Sequence, residues 1–307
     1  MFSYTTEAFG DFEKHILSNR TGQTRLACTP SHGSILVELS LNGTQILDAP
    51  LTPEELRINR WYKNTLLYPF PNRLKDGHFH WRGQDYHFPI NEPSTDTALH
   101  GFGATRKMQV LNQKNTEESA SITLRTQYRG DDEAYPFPFD FQVKYELTAN
   151  SRFICTFRVD NKASQSIPMG LGWHPYFQIS ETVEEVKLQL PKCSMVGIDQ
   201  RMLPTGKLYE YKDFAQAKKI GATVLDNCFK LHESGEQSIY FGSAKEKFRY
   251  FQDADQFPYV QLFTPPYRTS IAIEPMSCNI DAFHNGNGLI ILEENASWEG
   301  YFGLEAL

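Results

Sequence analysis

Apolar and polar residues alternate strictly along several long stretches of this chain, and that period of two is what most narrows its choice of fold. Successive side chains of an extended strand point to opposite faces, so strict alternation describes a strand with one face buried, whereas a helix needs a period of 3.6. The run Phe141-Gln142-Val143-Lys144-Tyr145-Glu146-Leu147 alternates cleanly. After the turn-like Thr148-Ala149-Asn150-Ser151 comes a second such run, Arg152–Val159. Ser34–Leu41 leads into Asn42-Gly43 and then Thr44–Leu47, and Asn-Gly suits a type I′ hairpin turn, whose two central residues need positive φ. His78–Trp81, Arg82–Asp85 and Tyr86–Phe88 read as a second hairpin, and Ser121–Tyr128 and Glu185–Leu190 as further strands. Helical signals are few. Thr52-Pro53-Glu54-Glu55 offers an N-cap, a proline at the first helical position and a glutamate at the third, and Asp213–Lys219 predicts a short helix closed by Gly221. The expectation is an all-β sandwich or barrel with under about a fifth of the chain in helix.

Nothing marks a boundary: there is no repeat, no low-complexity stretch and no Pro/Ser-rich linker, so residues 1–307 are expected to form a single domain. A chain of 307 residues can bury about three quarters of its unfolded surface. With 30 Lys+Arg against 37 Asp+Glu and no basic run, the sequence lacks the footprint of a nucleic-acid binder. No apolar run approaches the roughly 20 residues of a membrane helix. The N-terminus lacks a basic segment followed by an apolar core, so no signal peptide is expected. The five cysteines are scattered, without a C-x-x-C pair, which argues against a disulfide framework or structural zinc and fits a cytoplasmic location. Walker and Gly-x-Ser-x-Gly motifs are missing, and Gly101-Phe102-Gly103 is followed by Arg106 where a dinucleotide fingerprint needs glycine.

Four segments could carry chemistry. Tyr68-Pro69-Phe70-Pro71-Asn72-Arg73-Leu74 offers an arginine fork for hydroxyl oxygens, or a turn whose Arg73 pairs with a surface acid. Leu99-His100-Gly101 places a histidine where backbone can approach a ligand closely, or holds a structural histidine. Gly170–Phe177 fixes His174 between Trp173 and Pro175, and imidazole with a pKa near ~6.5 suits proton transfer at neutral pH. Ile271-Ala272-Ile273-Glu274-Pro275 puts a carboxylate in an apolar run, where it is paired, desolvated into a better base, or turned to solvent. His78, His80 and His87 share a hairpin face, which suits a metal cluster or, more simply, a polar surface.

Together these segments resemble the aldose 1-epimerase (galactose mutarotase) family. The resemblance rests on Asn72-Arg73-Leu74, Leu99-His100-Gly101, His174-Pro175-Tyr176-Phe177, Leu203-Pro204-Thr205-Gly206, Leu225-Asp226 and Glu274-Pro275, in the family's order. It implies a large antiparallel β-sandwich with the sugar in an open cleft on one sheet. It also implies roles: Glu274 as the base taking the anomeric hydroxyl proton, His174 as the acid protonating the ring oxygen, and His100 as its partner. Arg73, with Asn72 beside it, and Asp226 would bind hydroxyls. Such a reaction needs only proton transfers, so no cofactor is expected, and the expected partner is a small-molecule sugar bound by a monomer or homodimer. Free-group values near ~4.3 and ~6.5 would leave Glu274 ionised and let His174 hold a proton. The alternatives are a non-catalytic sugar-binding protein on the same fold, or a β-sandwich glycoside hydrolase or lyase using Glu274 with Asp226.

Overall fold

The alternating runs become the strands of a nine-stranded antiparallel sheet. The computed structural model describes residues 1–307. In it Phe139–Thr148 and Arg152–Asn161 bury every second residue, pair antiparallel, and pack between Ser119–Tyr128 on one side and Ser297–Ala306 on the other. Lys247–Asp253, Glu236–Gly242 and Lys187–Gln189 continue the sheet beyond the C-terminal strand. Strand makes up 52% of the chain and helix 5%. The fold is an antiparallel β-sandwich, as the resemblance implies.

The second large sheet runs in the order Pro204–Tyr211, Cys193–Ile198, Asp226–Leu231, Tyr259–Phe263, Ile271–Met276, Gly172–His174 and Thr65–Leu67, with Tyr176–Phe177 also pairing to Ile271–Met276. Its aromatic residues meet those of the nine-stranded sheet. Trp173 stacks on Phe302 at 5.5 Å, Phe177 lies 5.1 Å from Phe241, and Tyr68 lies 4.5 Å from Phe141. These contacts join one apolar core of 65 buried residues drawn from both sheets. A smaller sheet of five strands, Phe2–Phe9 through Thr44–Gln45, closes the N-terminal side.

Both hairpins form. Asn42 (φ 52°) and Gly43 (φ 81°) make the turn between Ile35–Leu41 and Thr44–Gln45. Arg82 (φ 50°) and Gly83 (φ 82°) make a two-residue turn between His78–Trp81 and Gln84–His87, shorter than the four-residue turn expected. The helix Pro53–Ile58 starts as expected: the Thr52 hydroxyl accepts from the Glu55 N–H, and the Glu55 carboxylate accepts from the Leu51 N–H. The expected helix at Asp213–Lys219 does not form, and Lys218–Lys219 instead pairs as an edge strand with Lys187–Gln189. Edge pairing outweighs helix propensity too weak to nucleate over so few residues. The expected strand Glu185–Leu190 is shorter, Lys187–Gln189, because Val183–Glu185 is a 3-10 turn capped by Thr182.

Candidate active site

The strand Ile271–Met276 is buried along its whole length, with sheet neighbours on both sides. A carboxylate there leaves water regardless of which face it points to. Glu274 sits opposite Gln261 on the neighbouring strand, and Gln261 sits opposite Cys228. On the other side Gly172 pairs with Met276, so the antiparallel register brings His174 beside Glu274. Their facing atoms, His174 Nε2 and Glu274 Oε1, are 3.5 Å apart. The next row of the same face reads Asp226, Phe263, Ala272, Tyr176.

Loops complete the cleft from the opposite side. His100 lies edge-on to His174 at 5.1 Å and to Tyr62 at 4.9 Å. It has a left-handed backbone (φ 66°), a conformation that costs energy in a non-glycine residue and persists only where the surroundings impose it. Two contacts to one residue do so: the His100 N–H donates to the Asn72 carbonyl at 2.9 Å, and the Asn72 N–H donates to His100 Nδ1 at 3.1 Å. A backbone amide can only donate, so Nδ1 is the bare nitrogen and the ring proton sits on Nε2. Gly101 permits this packing. A Cβ there would fall 2.4 Å from the Tyr68 carbonyl oxygen, so the close approach that Gly101 allows is to the protein's own backbone, not to a ligand.

Arg73 pairs with an acid, Glu92, as the second of its readings had it. Its Nε and Nη2 donate to the two oxygens of Glu92 at 2.6 and 2.7 Å, while the residue lines the cleft. Glu92 also accepts from the hydroxyls of Thr95 and Thr97. The Asn72 side chain turns toward its neighbour and accepts from the Arg73 N–H at 2.9 Å. Asp226 accepts from Gln261 Nε2 at 2.8 Å.

An open cleft of about 450 Å³ thus gathers Asn72, Arg73, His100, His174, Asp226 and Glu274, all six candidates from the sequence. Gln261, Glu92, Tyr62 and Trp61 line it as well and were not foreseen. A lone glutamine inside the apolar run Tyr259-Val260-Gln261-Leu262-Phe263 was the available signal for Gln261. Three fully buried polar atoms lack any partner in the protein and belong to this cleft: His174 Nδ1, Gln261 Oε1 and Glu274 Oε2. Buried polar groups are almost always hydrogen-bonded, so three such orphans on residues of one cleft set it apart from the rest of the core.

Burial also sets the protonation. It pushes Glu274 well above the usual carboxylate range, with Asp226 adding to the rise and Arg73 opposing it. It pushes His174 down to about 3. His100 is held well below its ordinary value by burial, then by His174 and Arg73. Asp226 is raised by burial, with Arg73 opposing. These directions correct the free-group expectation for both residues: desolvation holds Glu274 protonated rather than ionised and His174 neutral rather than proton-bearing, so both members of the pair favour their neutral forms.

The histidines of the hairpin lie elsewhere. His78 and His87 face each other across the strands with rings 4.9 Å apart, and His78 and His80 both contact Asp85. No group of three or more His, Cys, Asp or Glu is placed to hold a metal ion. All five cysteines are buried and unpaired. No helix is long and apolar enough to cross a membrane.

Comparison with known proteins bears on the fold and the family. The uncharacterized protein YihR of Escherichia coli (strain K12) is 32% identical over 299 residues, 92% of this chain and 93% of that one. The galactose mutarotase of Mus musculus is 29% identical over 140 residues, 44% of this chain and 39% of that one. Among solved structures, a galactose mutarotase-like protein from Clostridium acetobutylicum superposes with a TM-score of 0.88 at 22% identity, covering 100% of this chain and 98% of that one. The galactose 1-epimerase from Lactobacillus acidophilus NCFM does so with a TM-score of 0.83 at 16% identity, covering 100% and 98%. The sequence model of the Aldose 1-epimerase family matches residues 15–305, and on that near-complete match the chain belongs to the aldose 1-epimerase family.

Proposed function

We propose that the protein is a mutarotase, interconverting the α and β anomers of an aldose by opening and closing the hemiacetal ring. One observation carries this reading. A buried acid–base pair, Glu274 and His174, stands in a cleft whose unpartnered polar atoms suit a ligand rich in hydroxyls. Opening the ring takes the proton from O1 and gives one to O5. Rotation about C1–C2 turns the aldehyde, and closure reverses the transfers on the other face. The reaction leaves oxidation state and leaving groups untouched, so an acid and a base suffice, each contributing about 10²–10⁴-fold.

The pair holds one proton between its two members. Before sugar enters, burial favours the arrangement with that proton on Glu274 and a neutral His174. An O1–H donating to Glu274 and an O5 accepting from His174 favour the other arrangement, carboxylate and imidazolium, in which Glu274 is the base and His174 the acid. His100, with its proton on Nε2, can donate to a sugar oxygen without titrating. Glu92 holds Arg73 Nε and Nη2, and Nη1 donates one proton to Asn72 Oδ1 at 3.4 Å and keeps its second for a hydroxyl, with Asp226 and Gln261 as further partners. The five unpaired cysteines support a reducing compartment such as the cytoplasm.

The test is polarimetry with freshly dissolved α-aldoses. Rotation should relax faster with the protein than in buffer alone, in proportion to its concentration. A panel of hexoses all relaxing at the spontaneous rate, though bound, would leave a sugar-binding protein instead.

A further inference from the structure

The cleft does not end at the reacting row. Beyond Glu274, His174 and Gln261 the next row presents Phe263 and Tyr176 on either side of the small Ala272. Trp61 stands past them, 6.3 Å from Phe263 and 6.0 Å from Tyr267. There a second cavity of about 360 Å³ begins, lined among others by Asp48, Leu51, Ile58 and Asn59. The two cavities share only Arg60 and Trp61, so the second opens away from the acid–base pair.

We propose that Arg60 and Trp61 are the threshold of an outer subsite for a second, uncharged sugar ring, so that the preferred substrate is a reducing disaccharide rather than a free hexose; this rests on the mutarotase reading above. The backbone of the threshold is held before any ligand arrives. The helix Pro53–Ile58 ends at Asn59, whose left-handed backbone turns the chain over the cleft. The Asn59 side chain then clasps the loop from within, accepting from the Lys63 N–H at 2.8 Å and donating to the Lys63 carbonyl at 3.0 Å. The Tyr176 hydroxyl donates to the Trp61 carbonyl at 3.1 Å. These contacts hold the loop's backbone, and the Trp61 indole it carries offers a sugar's C–H face a platform.

The chemistry of the lining selects an uncharged ring. Arg60 is exposed and takes part in no ion pair or hydrogen bond, so its fork of donors is free for hydroxyls. The two acids of the outer cavity are engaged elsewhere. Asp48 is held by Lys63, Tyr267 and Ser270, and Glu55 accepts from the Leu51 N–H. Those acids balance Arg60 and Lys63, so the cavity has no excess positive charge to favour an anion. Leu51 and Ile58 are 79% and 64% exposed and add apolar surface beside the indole.

The experiment compares α-glucose with α-lactose, which bears a second ring on the same reducing glucose, by polarimetry and by isothermal titration. Lactose should bind more tightly and show the higher kcat/KM. Ile58→Trp and Leu51→Trp crowd the outer cavity without touching the cleft; they should cut the lactose-to-glucose ratio about tenfold while glucose constants stay within about twofold. Arg60→Ala should lower the same ratio. An unchanged ratio in the crowded variants, or wild-type preference for glucose, would overturn the subsite. Glucose 6-phosphate outperforming both sugars, with that advantage lost in Arg60→Ala, would overturn it in favour of an anion site. If neither sugar relaxes faster than in buffer but lactose still binds more tightly and loses that advantage in Ile58→Trp, the subsite stands and the catalytic reading falls.

Discussion

Replacing Glu274 with glutamine should damage activity and improve stability, and the two effects have the same cause. Glu274 is fully buried, its Oε2 has no partner in the protein, and burial raises its pKa well above the ordinary value. Glutamine keeps the size and one acceptor but cannot take the O1 proton. Losing a positioned base removes about 10²–10⁴-fold, or roughly 3–5 kcal/mol of transition-state stabilisation, so turnover should fall at least a hundredfold with sugar affinity little changed. Stability moves the other way. A carboxyl whose folded pKa is raised destabilises the fold progressively as pH climbs above its unfolded value and through the folded one. Removing a carboxyl that burial keeps from ionising should return on the order of 1–3 kcal/mol, about 2 °C in Tm for each kcal/mol in a chain this long. Polarimetry against the spontaneous rate reads the first effect. Thermal melts at about pH 5 and about pH 8 read the second, and the variant's advantage should be larger at the higher pH. Near-wild-type mutarotation would refute the assigned base, and a variant less stable than wild type at the higher pH would refute the desolvation argument.

Other expectations follow from the same contacts. Glu92→Ala frees two of the three Arg73 nitrogens, so KM should rise about tenfold with a smaller change in kcat; adding Arg73→Ala should cost no more than Arg73→Ala alone, as a double-mutant cycle would read. His174→Asn should abolish most turnover and also flatten the acid side of the stability curve. The folded His174 pKa of about 3 lies below the unfolded value near ~6.5, so wild-type stability is lost as pH falls through that window, and melts of the two proteins should converge at low pH. Gly101→Ala forces a Cβ to 2.4 Å from the Tyr68 carbonyl oxygen at a positive φ. It should cost about 2 kcal/mol or more in denaturant unfolding and displace His100, and equal stability would show that the Tyr68–Gly101 approach can relax.

The architecture was legible because a strand's period is local. Phe139–Thr148 and Arg152–Asn161 alternate in sequence as they do in burial, and Asn42-Gly43 carries its turn in its own backbone preferences. Local signals failed where a neighbour decided: Lys218–Lys219 became a strand because an edge stood ready to pair with it. Residue chemistry singled out Arg73, His100, His174 and Glu274, and the family resemblance added Asn72 and Asp226 to the set. What those side chains are in the folded protein could not be read from them singly. Gln261 stands in the cleft only because the antiparallel register sets it opposite Glu274, and Glu92 matters only because a loop carries it to Arg73 across 19 positions of chain. The protonation of His174 was misjudged for the same reason. A histidine's intrinsic pKa belongs to the residue, but desolvation belongs to everything packed around it, and that packing exists only once strands distant in sequence have closed over the site.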